Sequence, residues 1–146
     1  MDLPPGHRFS AEQNPSWGDR EFVDEALGAY NAAFLADNQY DYFGLFVRDD
    51  SDAIRAGLIG HLYAGWLFIN LLWVHAELRG TGIGTGLVAQ AERRAIAFGC
   101  HSAYVDTFSF QGPDFYPKFG YEVFATLPYP PDHQRIFLKK RLAAEV

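Results

Sequence analysis

Residues 66–98 constrain the fold most, because their pattern changes from strand to helix across a glycine-rich turn. Apolar side chains alternate on both faces over residues 66–74, which predicts a central strand buried on both sides. Over residues 83–98 the apolar positions recur at helical spacing, with charged residues on the other face. A helix N-terminus offers unpaired N–H groups and a partial positive charge, so the turn before it predicts a phosphate site. The turn has the sequence Arg79-Gly80-Thr81-Gly82-Ile83-Gly84.

The composition predicts one globular domain spanning residues 1–146. A hydrophobic content of 49% is enough for a substantial core, and a net charge of -6 argues against broad nucleic-acid binding. We expect no signal peptide at the N-terminus, and residues 58–74 alternate with a period near two, unlike a membrane helix. Because Cys100 is the only cysteine, we expect no internal disulfide and a location in the reducing cytoplasm.

The predicted fold class is α/β, with a mixed, mostly antiparallel sheet and helices on both faces. A helix over residues 22–34, with Ser16 or Asp19 as N-cap, is expected to cover one sheet face. The helix after the glycine turn implies a central parallel βαβ step with a right-handed crossover, and a short helix follows over residues 112–119. The predicted strands are residues 7–10, 43–47, 56–63, 66–74, 103–107, 121–126 and 134–140.

Two phosphate-binding templates fit the glycine turn poorly. A P-loop needs a lysine after its glycines, and none follows here. The dinucleotide fingerprint is matched in letters by Gly84, Gly86 and Ala89, with Asp106 downstream. Those glycines lie inside the predicted helix, however, and the preceding strands form an antiparallel meander. A nucleotide-dependent oxidoreductase is kept as a rival function. It predicts that NAD(H) raises the thermal stability of the protein and that CoA does not.

A third template fits both the turn and a second motif. Arg79, Gly82 and Gly84 reproduce the signature Arg/Gln-x-x-Gly-x-Gly/Ala, and residues 115–121 read Phe-Tyr-Pro-Lys-Phe-Gly-Tyr. With these two motifs separated by a helix and a strand, the chain resembles the GCN5-related N-acetyltransferases, the GNAT family. The resemblance implies a GNAT-like sheet with splayed strands. It also implies an acyltransferase that moves acetyl from acetyl-CoA to a primary amine by direct attack in a ternary complex.

The resemblance also implies roles for particular residues. Backbone amides of the turn would hold the pyrophosphate of acetyl-CoA, and the end of the central strand would pair with the pantetheine arm. Ser109 stands where many members carry an asparagine, and Tyr116 matches the general acid that protonates the CoA thiolate. The implied cofactor-binding residues are Leu72, Trp73, Val74, Arg79, Gly80, Thr81, Gly82, Ile83, Gly84, Thr85 and Ser109.

The general base and the acceptor stay open at this stage. By position, the base could be His61, Glu77, Asp106, Glu122 or a water molecule. A small-molecule amine is favoured over a peptide or protein amine, because a cation suits an aromatic-rich pocket. The aromatic residues considered for that pocket are Tyr40, Tyr42, Phe43, Tyr63, Trp66, Phe108 and Phe110.

The sequence also bears on metal ions, nucleic acids, membranes and a second copy of the chain as partners. No pair of histidines has metal-site spacing, and the acidic segment at residues 49–52 is typical of a turn, so no metal is expected. The acidic balance argues against a nucleic-acid partner, and the period near two of residues 58–74 argues against a membrane span. A homodimer is common in the resembling family. A non-catalytic domain that binds or senses acyl-CoA is the alternative function.

Overall fold

The computed structural model describes residues 1–35 and 39–142, in two compact units, Met1–Asn38 and Gln39–Val146. The first unit contains helix α1, Trp17–Asn31. Ser16 is its N-cap, since its hydroxyl oxygen accepts the backbone N–H of Asp19 at 3.1 Å. The strand predicted near residues 7–10 is wrong. Residues 7–10 have no regular secondary structure and follow a turn at Pro5 and Gly6, where the His7 N–H donates to the carbonyl oxygen of Pro4. That α1 covers a sheet face stays a prediction.

The second unit is a six-stranded mixed sheet in the order β1-β2-β3-β4-β6-β5. Only the β3–β4 pair is parallel among the described strands, which confirms the predicted fold class and its single βαβ step. Helix α2, Ile83–Phe98, supplies the crossover with the predicted bounds. The strands are β1 Tyr40–Arg48, β2 Ile54–Tyr63, β3 Trp66–Val74, β4 Ser102–Phe108, β5 Glu122–Tyr129 and β6 His133–Arg141.

The core lies between the sheet and the apolar face of α2. Leu87, Val88, Ala91 and Ala95 are its buried helix residues, and small alanines let the helix approach the strands closely. Leu58, Leu62 and Leu67 are fully buried on the neighbouring strands. Among the described residues, no helix is both long and apolar enough to cross a membrane.

Strand β3 carries an extra residue that sequence alternation does not reveal. Ile59 pairs with Leu71 while Gly60 pairs with Ile69, so Asn70 is the unpaired residue of a β-bulge. The bulge exchanges the two faces. Ile69 is buried before it, whereas Leu72 packs on the core after it and Leu71 is 60% exposed. The prediction that β3 is buried on both faces is therefore wrong for its second half.

The strands β3 and β4 pair over only part of their length. Their described register runs from Trp66 opposite Ser102 to Ile69 opposite Val105. Beyond that point β3 continues beside β2 and β4 continues beside β6, out to Val74 and Phe108 respectively. The two strands thus diverge at the bulge, leaving a cleft between their C-terminal halves, which we call the β3–β4 cleft.

The second sequence motif forms a shorter helix than predicted. Only Tyr116–Phe119 is helical, and it is a 3-10 helix that ends at Gly120. Pro117 lies in its first turn, where its missing N–H costs nothing, and the glycine follows too soon for a full α-helix to develop.

Candidate functional site

The glycine turn delivers helix α2 with its first N–H groups uncapped. Gly80 and Gly82 have φ of +76° and +88°, a left-handed conformation that favours glycine. Gly82 is the N-cap of α2 and supplies no side-chain hydrogen bond. The N–H of Gly86 makes the first helical bond, to the Gly82 carbonyl. The preceding amides at the helix start therefore point out of the helix with the positive end of its dipole.

The turn borders open space on one side and the second motif on the other. A Cβ built on Gly80 or Gly82 would meet no atom within 4 Å, so a ligand can approach the backbone there. A Cβ on Gly84 would lie 3.3 Å from the ring of Phe115 and 3.7 Å from Val74. The two motifs that are far apart in sequence are thus neighbours in space.

Side chains brace the approach to the turn. The Arg79 Nε donates to the carbonyl oxygen of Val74 at 3.1 Å, which ties the turn to the end of β3. The Thr81 hydroxyl donates to the carbonyl of Leu78. Arg55 on β2 holds Glu77 through a 2.7 Å contact, just before the turn begins. The side chain of Arg79 is thus used in positioning, and the backbone amides are left for a ligand.

Tyr116 is a buried phenol. It is 7% exposed and packs edge-on against the rings of Phe115 and Tyr121. Burial, together with the negative charge of Asp106, raises the pKa of Tyr116 to about 12. Its hydroxyl makes no hydrogen bond within residues 1–35 and 39–142, and no enclosed polar atom there lacks a partner. The hydroxyl therefore reaches accessible space and is protonated at neutral pH.

A polar network supports Tyr116 from behind. The Tyr121 hydroxyl donates to Glu92 of α2 at 3.0 Å, and the Lys140 ammonium of β6 donates to both oxygens of the same carboxylate. Burial and the Glu92 charge raise the pKa of Tyr121 well above its usual value. The network links α2, β6 and the residues after Gly120, and so fixes the ring against which Tyr116 packs.

The remaining cofactor-binding candidates lie on the two strands that diverge. Leu72, Trp73 and Val74 form the end of β3 on one side of the β3–β4 cleft. Ser109 follows β4, and its hydroxyl oxygen accepts the Gln134 N–H at 3.1 Å and lies 3.2 Å from the His133 Nδ1. The Ser109 hydroxyl is thus engaged with β6.

The candidate bases occupy four different settings. Glu77 is paired with Arg55, and Glu122 is exposed at the start of the edge strand β5. His61 on β2 has its Nδ1 bonded to the Tyr40 hydroxyl. Asp106 lies on β4 one residue beyond the last β3–β4 pair. Of the four, it is the one placed where the two strands separate.

The aromatic residues expected to share one pocket are distributed over several places. Phe43 is buried on the α2 side, with the Arg94 guanidinium 4.8 Å above its ring. The stacked pair Phe108 and Phe110 contacts two rings of the β5–β6 hairpin. The prediction of a single pocket is therefore wrong for Phe43, and a pocket shared by the other aromatic residues stays a prediction. A third set of ring contacts crosses β1 to β4 and comprises Tyr40, Tyr42, His61, Tyr63, Trp66, Phe68 and Tyr104.

Two features of the candidate site were not predicted from the sequence. The bulge at Asn70 had a visible signal, a polar residue inside an apolar strand, but its effect on the faces needs the register of β2. Arg135, which holds Asp106, had no local signal because it lies on β6, far along the chain. In the part of the chain that the structure describes, no group of three His, Cys, Asp or Glu residues could hold a metal.

Comparison with known proteins agrees with this geometry. Residues 7–121 match the Acetyltransferase (GNAT) family. The Blasticidin-S acetyltransferase of Streptomyces morookaense is 39% identical over 104 residues, 70% of this chain and 76% of that protein. An acetyltransferase of Agrobacterium fabrum is 32% identical over 120 residues, 82% and 88% of the two chains. A crystal structure of an acetyltransferase from Bacillus cereus has a TM-score of 0.74 and 31% identity, covering 91% and 98%. The chain belongs to the GNAT family of acetyltransferases and is an acyltransferase.

Proposed function

We propose that this GNAT acetyltransferase moves the acetyl group of acetyl-CoA to a primary amine by direct attack, with both substrates held together. One observation carries the proposal. The β3–β4 cleft opens beside the uncapped start of α2 and beside a protonated phenol, Tyr116. An anion site, a strand with unused pairing capacity and a proton donor are the three features that a CoA thioester requires.

The start of α2 is the proposed pyrophosphate site. Its free amides converge on a doubly charged anion more effectively than a side chain, because they are fixed by the helix and add the helix dipole. The open space beside Gly80 and Gly82 admits the phosphates. The residues proposed to surround them are Arg79, Gly80, Thr81, Gly82, Ile83, Gly84 and Thr85.

The end of β3 is the proposed site for the pantetheine arm. The arm contains amides, and it can pair with the backbone of Leu72, Trp73 and Val74 like an added short strand. The divergence of β4 leaves that edge of β3 uncovered. A backbone N–H near Leu72 or Trp73 then stabilises the oxyanion that forms at the thioester carbonyl. Ser109, which follows β4 on the other side of the cleft, is also proposed to contact the pantetheine arm.

Tyr116 is the proposed general acid. The lone pair of the amine attacks the thioester carbonyl carbon, the C–S bond breaks, and the departing thiolate takes the phenolic proton. With a pKa of about 12, Tyr116 holds that proton throughout the neutral range. The same desolvation that raises the phenol pKa also raises the pKa of a thiol in this cleft, which keeps the transfer feasible. No covalent enzyme intermediate is needed.

The proposed acceptor is a small-molecule amine, with a peptide or protein amine as the second candidate. The relative from Streptomyces morookaense is named for its action on blasticidin S, which supports a small molecule. The protein's net charge of -6 favours a cationic acceptor. We also propose that residues 1–146 act as one acetyltransferase domain, because the family match at residues 7–121 spans both structural units. Its proposed location is the cytoplasm, with the buried Cys100 reduced.

Thiol release from acetyl-CoA tests the proposal. The purified protein is assayed with a panel of polyamines, aminoglycosides, nucleoside amines, amino acids and peptides, and we expect amine-dependent release of CoA. Acetylation of the amine is confirmed by mass spectrometry. Tight CoA binding with no release for any amine would instead favour the domain that only binds or senses acyl-CoA.

A variant of the acid completes the test. Tyr116→Phe keeps the ring packing and removes the hydroxyl, and we expect kcat to fall by about 10²- to 10⁴-fold while KM for acetyl-CoA changes little. Tyr30→Phe on α1 is the matched control, since it removes a phenolic hydroxyl from an exposed residue to which the proposal assigns no role. An unchanged kcat in Tyr116→Phe would rule out the acid role.

A further inference from the structure

We propose that Asp106, held in place by Arg135, is the group that recognises the acceptor ammonium. This inference rests on the proposed function, because it names the acceptor side of the same cleft. Asp106 is the first residue of β4 after the paired segment that ends at Val105. On β3 the next position after the paired Ile69 is the bulged Asn70. The carboxylate therefore belongs to the vertex at which the two strands part.

The Asp106 carboxylate is held in place by Arg135, which contacts only one of its two oxygens. The Arg135 Nε donates to its Oδ1 at 3.0 Å, and the Arg135 Nη2 lies 3.0 Å from the same oxygen. No residue within 1–35 and 39–142 donates a hydrogen bond to Oδ2. A carboxylate oxygen can accept two hydrogen bonds, so Oδ2 retains capacity for an N–H donor. With a side chain only 20% exposed, Asp106 is also less screened by water than a surface acid.

The surroundings of Asp106 suit a cation. Alternation along β4 places Tyr104 and Phe108 on the same face, one on each side of Asp106. Their rings are supported by neighbours, since Tyr104 stacks on Phe68 and Phe108 stacks on Phe110. Ammonium groups are attracted to aromatic faces as well as to carboxylates. A carboxylate between two aromatic rings favours a small cationic amine over a neutral or anionic acceptor.

The charge of Asp106 also acts on Tyr116, the proposed general acid. Burial is the larger cause of the raised pKa of Tyr116 and Tyr104, and the negative charge of Asp106 adds to it in both, which supports placing the carboxylate and the phenol in one site. The other candidates lack this relation. Glu77 lies just before the glycine turn with its side chain 75% exposed, and Glu122 is exposed on the edge strand β5.

The role is binding and orientation. The carboxylate attracts the protonated amine, and after the ammonium loses a proton to water, Oδ2 accepts a remaining N–H. The nitrogen lone pair is then directed at the thioester carbonyl. In the attack, a C–N bond forms and the C–S bond breaks, and the departing thiolate takes the phenolic proton of Tyr116. The second amine proton leaves to solvent, from which Tyr116 regains a proton.

The test compares two substitutions of Asp106 with a control substitution of Asp41. Asp106→Asn removes the charge and keeps the shape, and Asp106→Glu keeps the charge. Asp41→Asn is the control, because Asp41 on β1 also pairs with an arginine, at 2.8 Å, and its side chain is 27% exposed against 20% for Asp106. We expect Asp106→Asn to lower kcat/KM for cationic amines by about 10- to 100-fold without raising KM for acetyl-CoA. Asp106→Glu should recover part of the loss, and Asp41→Asn should show none.

Amine binding to the CoA-loaded protein gives a readout that does not need turnover. Calorimetric titration of polyamines, with uncharged alcohol analogues as reference, should show a preference for the cation in the wild type that Asp106→Asn removes. Equal affinities in wild type and Asp106→Asn, or no cation preference in the wild type, would overturn the assignment of Asp106. A wild-type protein that binds cations through Asp106 but acetylates none of them would instead overturn the proposed function.

Discussion

Two glycine-to-alanine substitutions four positions apart should have opposite effects on stability. Gly82 has φ of +88° at the N-cap of α2, whereas Gly86 lies inside the helix and has no such conformation. In both places an added Cβ would meet nothing within 4 Å, so no steric contact contributes. The difference between the two variants therefore isolates the backbone conformation, with the same chemical change in both.

The magnitudes follow from that conformation. The left-handed region costs a residue with a Cβ about 1–2 kcal/mol, so Gly82→Ala should destabilise the protein by that amount. Gly86→Ala should stabilise it by about 0.5–1 kcal/mol, because alanine loses less backbone entropy in a helix. For a chain of this size, 1 kcal/mol corresponds to about 2–4 °C in Tm.

The assay is thermal and urea denaturation of both variants, paired with KM for acetyl-CoA. Gly82→Ala should lower Tm by about 2–8 °C and raise KM about tenfold or more, because a shifted helix start misplaces the amides that we propose bind the pyrophosphate. Gly86→Ala should raise Tm and leave KM unchanged. The reasoning is refuted if the two variants change Tm in the same direction, or if Gly82→Ala loses stability while KM for acetyl-CoA stays at the wild-type value.

Three further predictions concern single side chains. The kcat deficit of Tyr116→Phe should be constant from pH 6 to pH 10, because a phenol with pKa about 12 stays protonated there; a deficit that narrows above pH 9 would contradict this value. Tyr121→Phe should destabilise the protein by about 1–2 kcal/mol in urea denaturation, since Glu92 loses one donor but keeps Lys140; Tyr129→Phe, at an exposed site, is the control and should change little. Ser16→Ala should lower the stability of α1 by about 1 kcal/mol and its helix content by circular dichroism, while Ser16→Asp should retain both.

Helix α2 was predictable because its signals are local. The apolar positions repeat at helical spacing, and a glycine stands at each end, Gly82 before Ile83 and Gly99 after Phe98. The antiparallel meander was predictable for the same reason, since each of its turns lies between two apolar runs. The single parallel pair was predictable from helix α2. Two parallel strands need a crossover connection such as a helix, whereas two antiparallel strands can be joined by a tight turn.

The features that shape the cleft were not predictable in the same way. An alternating pattern assumes a period of two, so one bulged residue, Asn70, reverses every later assignment on β3. The proximity of Asp106 and Arg135 depends on the register between β4 and β6, which joins residues far apart in sequence. The short 3-10 helix at Tyr116–Phe119 depends on where Pro117 falls in its first turn.

The divergence of β3 and β4 gives the bulge a functional reason. Each strand keeps one full neighbour, β2 for β3 and β6 for β4, so the separation sacrifices only the hydrogen bonds between the two diverging halves. The backbone groups left on β3 at Leu72–Val74 gain most from a partner that carries amides, because water is excluded once the cleft is filled. The bulge turns Leu72 and Val74 toward the core at the same place, which anchors the uncovered edge. The cleft is therefore held open by packing on one side and by strand pairing on the other, and in the proposed complex the amide-bearing arm of acetyl-CoA completes the sheet.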